Sequence, residues 1–265
     1  MTAADWRRWL RRIWVAGGLT FTAWLLWNAQ AHGVDPALLR SGDSVVVRDS
    51  GDVLRLLPRH SSRKAGLLFL PGAAVDPIAY LPLLHRVAAA GHPVALVRLP
   101  WRMAASASGQ AEVWRRLEGA RALDSTRPWV LAGHSRGAAL AARYVAERGG
   151  GVAGLVLIAT THPKAVSLAT TAVPVTKVWG TRDCVAPAEA MFANAALLPV
   201  ATRWVRIEGA NHAQFAHYGR QLGDCAATIP RDVQQAETAG ALLEALEAAV
   251  PGRAPRRTLP AAGPP

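Results

Sequence analysis

The sequence is poor in cysteine, with only Cys184 and Cys225 in 265 residues and no metal-ligand spacing around either. That excludes a thiolate zinc site and a scaffold built from many disulfides. Acidic residues are also scarce, 18 against 30 lysines and arginines, for a net charge of +12. A basic excess raises the question of nucleic acid. No helix-turn-helix pattern, zinc spacing or basic stripe interleaved with aromatics accompanies it, so no nucleic-acid partner is expected. The excess reads as solvated surface and two basic ends, Arg7, Arg8, Arg11 and Arg12 at the start and Arg253, Arg256 and Arg257 at the finish. No internal repeat, metal cluster or nucleotide loop is read from the chain, so no cofactor and no metal is expected. With 51% hydrophobic residues over this length, one substantial core and one main domain are the expectation.

Charge is absent from Ile13 to Trp27, directly after the basic segment 1–12. Arginines ahead of an apolar run and tryptophans at its ends suit a membrane interface with the N-terminus inside. The run is slightly short for a spanning helix unless it extends to Ala31. Ala29-Gln30-Ala31 also fits a small-x-small cleavage site. Two readings therefore stand. Residues 13–31 are a transmembrane anchor with an extracytoplasmic catalytic domain, or the apolar region of a signal peptide whose removal leaves a secreted or periplasmic protein. An amphipathic helix of a cytosolic protein is disfavoured because the run shows no polar face. Either main reading exports residues 32–250 and lets Cys184 and Cys225 form a disulfide, with two free buried thiols as the alternative.

From Ser44 onward, short apolar runs alternate with helical patterns. Ser44–Arg48 and Val53–Leu57 flank the turn signal Asp49-Ser50-Gly51-Asp52 and read as a hairpin. Apolar runs at Leu67–Leu70, Pro93–Leu99, Val130–His134, Val152–Ala159, Val175–Trp179 and Arg203–Ile207 read as strands. Helices are expected over Pro77–Ala90, Gly109–Leu123, Ala138–Glu147, Pro187–Leu198 and Arg231–Val250. This alternation predicts an α/β fold with a mostly parallel central sheet and helices on both faces. The short stretch between Ala159 and Val175 leaves no room for a large cap. Residues 251–265, rich in proline and arginine, read as a disordered tail.

Apolar residues run straight into Gly133-His134-Ser135-Arg136-Gly137, which is followed by a helical pattern. This strand, turn and helix setting is what exposes a Gly-x-Ser-x-Gly serine as a nucleophile. Such a serine needs a histidine base and a carboxylate behind it, in the chain order Ser, Asp or Glu, His. Asp183 follows the Val175 strand and His212 follows the Arg203 strand, both at the edge where parallel sheets bind ligands. Glu208 and Asp224 are the competing acids. His85, His92, His162 and His217 are poorer candidates than His212 because none follows the last strand directly, and His134 is expected to pack or hydrogen-bond at the turn. Two N–H donors are expected for a developing oxyanion, Arg136 after the serine and Ala73 in the loop after Leu70.

These motifs, with Phe69–Tyr80, Gly180-Thr181-Arg182-Asp183 and Gly209–Phe215, resemble the alpha/beta-hydrolase superfamily. They are most similar to its fold-5 group, loosely akin to dienelactone hydrolases. The resemblance covers most of Ser44 to Val250 and implies a Ser135–Asp183–His212 triad. The constellation itself reads as a serine hydrolase that acts on a small carboxylic ester or related acyl compound through an acyl-enzyme. Two features depart from the group. Arg136 stands where an apolar residue is usual, and the nucleophile is serine rather than the cysteine of true dienelactone hydrolases. A silent binding protein or an acyltransferase on the same scaffold are the alternatives.

Overall fold

A computed structural model describes residues 2–60, 65–149 and 151–250. The tail expected to be disordered, 251–265, lies outside the described residues. Eight strands form one sheet: β1 (Val45–Asp49), β2 (Val53–Pro58), β3 (Gly66–Leu70), β4 (Val94–Val97), β5 (Trp129–His134), β6 (Gly154–Ile158), β7 (Val175–Gly180) and β8 (Arg203–Ile207). Their order is β1-β2-β4-β3-β5-β6-β7-β8. The β1–β2 hairpin and the β2–β4 pair are antiparallel, and every pair from β4 to β8 is parallel. Gly51 closes the hairpin at φ +81, with its N–H on the Asp49 carboxylate.

Continuous apolar runs such as Leu67–Leu70 are buried on both sides, as a doubly covered parallel sheet requires. Leu67 and Phe69 face a core completed by α2 (Leu81–Ala89) and α6 (Arg231–Ala248). Leu68 and Leu70 face the opposite core, under α3 (Ala107–Ala122) and α4 (Arg136–Arg148). Strand order reverses at β3, which has β4 on one side and β5 on the other. The loops after β3 and β5 therefore flank a crevice, the usual ligand position in such sheets.

Two expected elements differ. The helix anticipated over Pro187–Leu198 is a short α5 (Ala188–Phe192) and a separate 3-10 turn (Ala195–Leu197). Asn194 sits between them with its amide donating to the carbonyls of Thr161 and Ala190. Bonding to the loop after β6 takes precedence over continuing the helix.

The second difference is at the N-terminus. The basic segment and the apolar run form one helix, α1 (Ala3–Asn28), started by a capping box between Thr2 and Asp5. Among the described residues no helix is long and apolar enough to cross a membrane. The expected spanning anchor over 13–31 is thereby corrected. The charge-free part of α1 reaches only from Ile13 to Asn28, about 24 Å at 1.5 Å per residue, against a hydrocarbon core of about 30 Å. Gly17, Gly18, Thr20 and Thr22 dilute even that part.

Candidate active site

Ser135 sits at φ 52, ψ −115, a region non-glycine residues avoid, between the last residue of β5 and the first of α4. Two contacts hold it there: its N–H donates to the Ile158 carbonyl, and its carbonyl accepts from Ala139. The tight approach of α4 to the sheet requires the flanking glycines. A Cβ on Gly137 would stand 2.1 Å from the Leu70 carbonyl oxygen, and one on Gly133 would stand 2.4 Å from the Gly137 carbonyl carbon. Ser135 is left half-buried, beside the first N–H groups of α4, which have no intrahelical partner.

His212 follows β8 through Gly209, at φ +73, and Asn211. Asn211 is clamped to α6, donating its N–H to Gln234 Oε1 and accepting from Gln234 Nε2. Asp183 follows β7. Its Oδ2 lies 2.9 Å from His212 Nδ1, with both side chains 1% exposed. Its Oδ1 accepts from the N–H groups of Val185 and Ala186, which leaves the carboxylate one orientation.

The competing acids are placed elsewhere. Glu208 is exposed and bonds Thr181 Oγ1 and Arg206. Asp224 accepts the backbone N–H groups of His212, Ala213 and Cys225, so it supports the histidine's backbone rather than its imidazole. Burial raises the Asp224 carboxyl above the usual range, and those backbone bonds oppose that rise. Cys184 and Cys225 are joined by a disulfide with Cα atoms 5.3 Å apart, linking the loop of Asp183 to the loop after His212.

Ser135 and His212 line one cavity of about 250 Å³, with Arg136, Thr160, His162 and Ala186 among its walls. His212 Nε2 is buried and makes no hydrogen bond, so the serine and imidazole share the cavity without being bonded to each other. Arg136 points its guanidinium at the carbonyls of Met103 and Ala104, in the loop after β4, at 3.3 and 2.9 Å. Arg136 thus ties the turn after β5 to the loop after β4.

In the loop after β3, the Gly72 N–H donates to the Tyr80 hydroxyl and the Ala74 N–H to the Arg102 carbonyl. Among the described residues the Ala73 N–H has no protein partner. Tyr80 in turn contacts His134 Nδ1 at 2.7 Å, and the His134 ring stands 4.7 Å from that of His212. Since the Tyr80 oxygen accepts from Gly72, its proton goes to Nδ1 and the neutral His134 carries its own proton on Nε2. Burial, aided by the neighbouring His212, holds His134 well below the usual histidine range. Sequence reasoning placed His134 at the turn and Tyr80 in the Phe69–Tyr80 motif, but had no means of pairing them across 54 residues.

Lys177 on β7 was missed altogether. Its side chain is fully buried and its ammonium donates to the His162 carbonyl, bracing one wall of the cavity. Burial pulls its pKa from 10.5 down to about 7. Between those two values the unfolded chain holds a proton that the folded chain has released, so stability rises with pH across that window and the full penalty applies below it. Lys177→Met is expected to raise the thermal midpoint at pH 7 and to flatten its rise between pH 7 and 10, measured by melting curves across pH.

A model of the alpha/beta hydrolase family matches residues 66–236. No curated protein matches the chain. Among solved structures, TT1662 from Thermus thermophilus is 20% identical with a TM-score of 0.54, over 76% of this chain and 99% of that one. A predicted CIB-like hydrolase from Thermoplasma acidophilum is 14% identical with a TM-score of 0.56, over 76% and 99%. Est1E from Butyrivibrio proteoclasticus is 12% identical with a TM-score of 0.55, over 76% and 98%. These likenesses are to the fold, whereas the family match spans well over half the chain, from β3 through the start of α6. On that match, the chain belongs to the alpha/beta hydrolase family.

Proposed function

We propose that the protein is a serine hydrolase that cleaves a carboxylic ester or related acyl compound. Ser135 Oγ attacks the carbonyl carbon while His212 Nε2 takes its proton, and Asp183 holds the opposite ring N–H and stabilises the imidazolium. The N–H groups of Arg136 and Ala73 donate to the negative oxygen of the tetrahedral intermediate. As the intermediate collapses, the alcohol leaves with the proton from His212 and the acyl group stays on Ser135. Water, deprotonated by the same imidazole, then attacks the acyl-enzyme and releases the acid.

The observation that carries this reading is the buried 2.9 Å contact between Asp183 and His212 in the same cavity as a strained, half-buried serine. A cavity of about 250 Å³ with no helix between Ile158 and Val175 favours short acyl groups. The Cys184–Cys225 disulfide supports an oxidising compartment for the catalytic domain.

The test is labelling with a fluorophosphonate and turnover of p-nitrophenyl acetate. Wild type is expected to label and turn over, and Ser135→Ala to lose labelling and nearly all turnover. Equal turnover by the two proteins would overturn the proposal.

A further inference from the structure

Helix α1 is not a loose tether. Its last turn is built into the catalytic rim, the edge of the sheet that carries Ser135 and His212. The Asn28 carbonyl accepts from Gly219, and its side-chain oxygen accepts from the N–H of Arg220. The Ala29 carbonyl accepts from Asp76, Gln30 Oε1 from Arg102, and Ala31 pairs with Tyr218. These bonds reach both the loop after β3 and the loop after His212. Cleavage after Ala31 would remove all of them, which argues for a retained helix.

Beyond that turn the helix stands clear of the domain. Trp14 is 80% exposed and Trp27 is 67% exposed. Spacings of three, four and eleven residues put Trp6, Trp9, Ile13, Trp24 and Trp27 on one side. Arg7, Arg8, Arg11 and Arg12 lie around the other. Asp5 is the only acidic residue in the helix, and it is paired with Arg8 at 2.6 Å.

The rim carries a matching oddity. Trp101, in the loop after β4, is 98% exposed. Trp101, Arg102 and Ala104 hold φ of 52, 54 and 49, conformations unfavourable for non-glycine residues. Arg136 bonds the carbonyls of Met103 and Ala104, and Arg102 pairs with Asp76 at 3.1 Å. The chain thus maintains a strained loop whose result is an indole held in water, an arrangement that points to a partner for that indole. Met103 and Leu222, on the same rim, are also exposed.

We infer that α1 and the Trp101 loop dock the protein on an anionic lipid surface with the catalytic rim turned toward it. Tryptophans favour the level of lipid headgroups, and clustered arginines are attracted to anionic ones. A second copy of the chain is the poorer occupant, since pairing two such helices side by side gathers eight arginines against two aspartates. The docking is independent of the hydrolytic reading, because it uses none of Ser135, Asp183 or His212.

The test is flotation of the full chain with vesicles of phosphatidylcholine alone or mixed with phosphatidylglycerol, and light scattering without lipid. Preferential binding to the mixed vesicles is expected, weakened by salt, with Ser135→Ala binding as wild type does. Replacing Arg7, Arg8, Arg11 and Arg12 by glutamine should lower that affinity on the order of a thousandfold. With lipids brominated in their chains, Trp101→Phe should remove part of the tryptophan quenching, while Trp129→Phe, at the opposite edge of the sheet where β5 begins, should leave it unchanged. Binding in which Trp101→Phe loses no quenching would overturn the orientation. Failure to bind either vesicle, with a stable dimer in solution, would overturn the docking and assign the helix to a second copy.

Discussion

Asp183→Asn is expected to lower kcat/KM by about 10⁴-fold while the protein stays folded. An asparagine keeps the shape and can still accept the Val185 and Ala186 N–H bonds through its oxygen. Its amide nitrogen then faces His212 Nδ1 and donates to it. That forces the imidazole proton onto Nε2, where the proposed base must be free to accept, and removes the charge that stabilises the imidazolium. Asp224→Asn separates this effect from general damage near the histidine. Asp224 bonds only backbone N–H groups there, which an amide oxygen still satisfies in part, so its loss is expected to stay below about 100-fold. Steady-state kinetics on a soluble ester, with circular dichroism as the folding control, checks both. Equal losses in the two variants would show that the Asp183 carboxylate has no special role.

Gly137→Ala is expected to cost about 3 kcal/mol or more, because the added methyl would lie 2.1 Å from the Leu70 carbonyl oxygen. That oxygen ends β3, at the centre of the sheet, and cannot retreat without disturbing pairing with β5. For a domain of this size the thermal midpoint should fall by about 6–12 °C. Activity should fall further than stability, since the displacement separates Ser135 from the loop that holds Ala73. Gly119→Ala is the control: its position in α3 has nothing within 4 Å, and alanine favours a helix there. A variant at 137 that melts with wild type would contradict the packing described here.

What could be read from sequence follows from how local the signals are. Buried strands show as apolar runs, the Ser135 turn shows as two glycines at fixed spacing, and Asp183 and His212 each follow a strand directly. Hence the sheet, its helices on both faces and the proximity of those two side chains were legible. The rest depends on contacts between distant segments. Tyr80 meets His134, Lys177 meets His162, and Arg136 meets Met103 and Ala104 only because of the strand order. The N-terminal helix was misjudged because the apolar run was taken apart from the arginines before it. As one helix the two segments form a different object, with four arginines on one side and Trp6, Trp9, Trp24 and Trp27 on the other. The Pro187–Leu198 pattern was helical in composition, but one asparagine found better partners in a neighbouring loop.

The Cys184–Cys225 bond closes a covalent ring around everything between them, including α5, β8 and His212, with Asp183 one residue outside. A protease that nicks the exposed turn around Val200 would therefore make two peptides that cannot separate. The outermost strand could peel from the sheet and return, and its histidine would still be delivered to the same carboxylate.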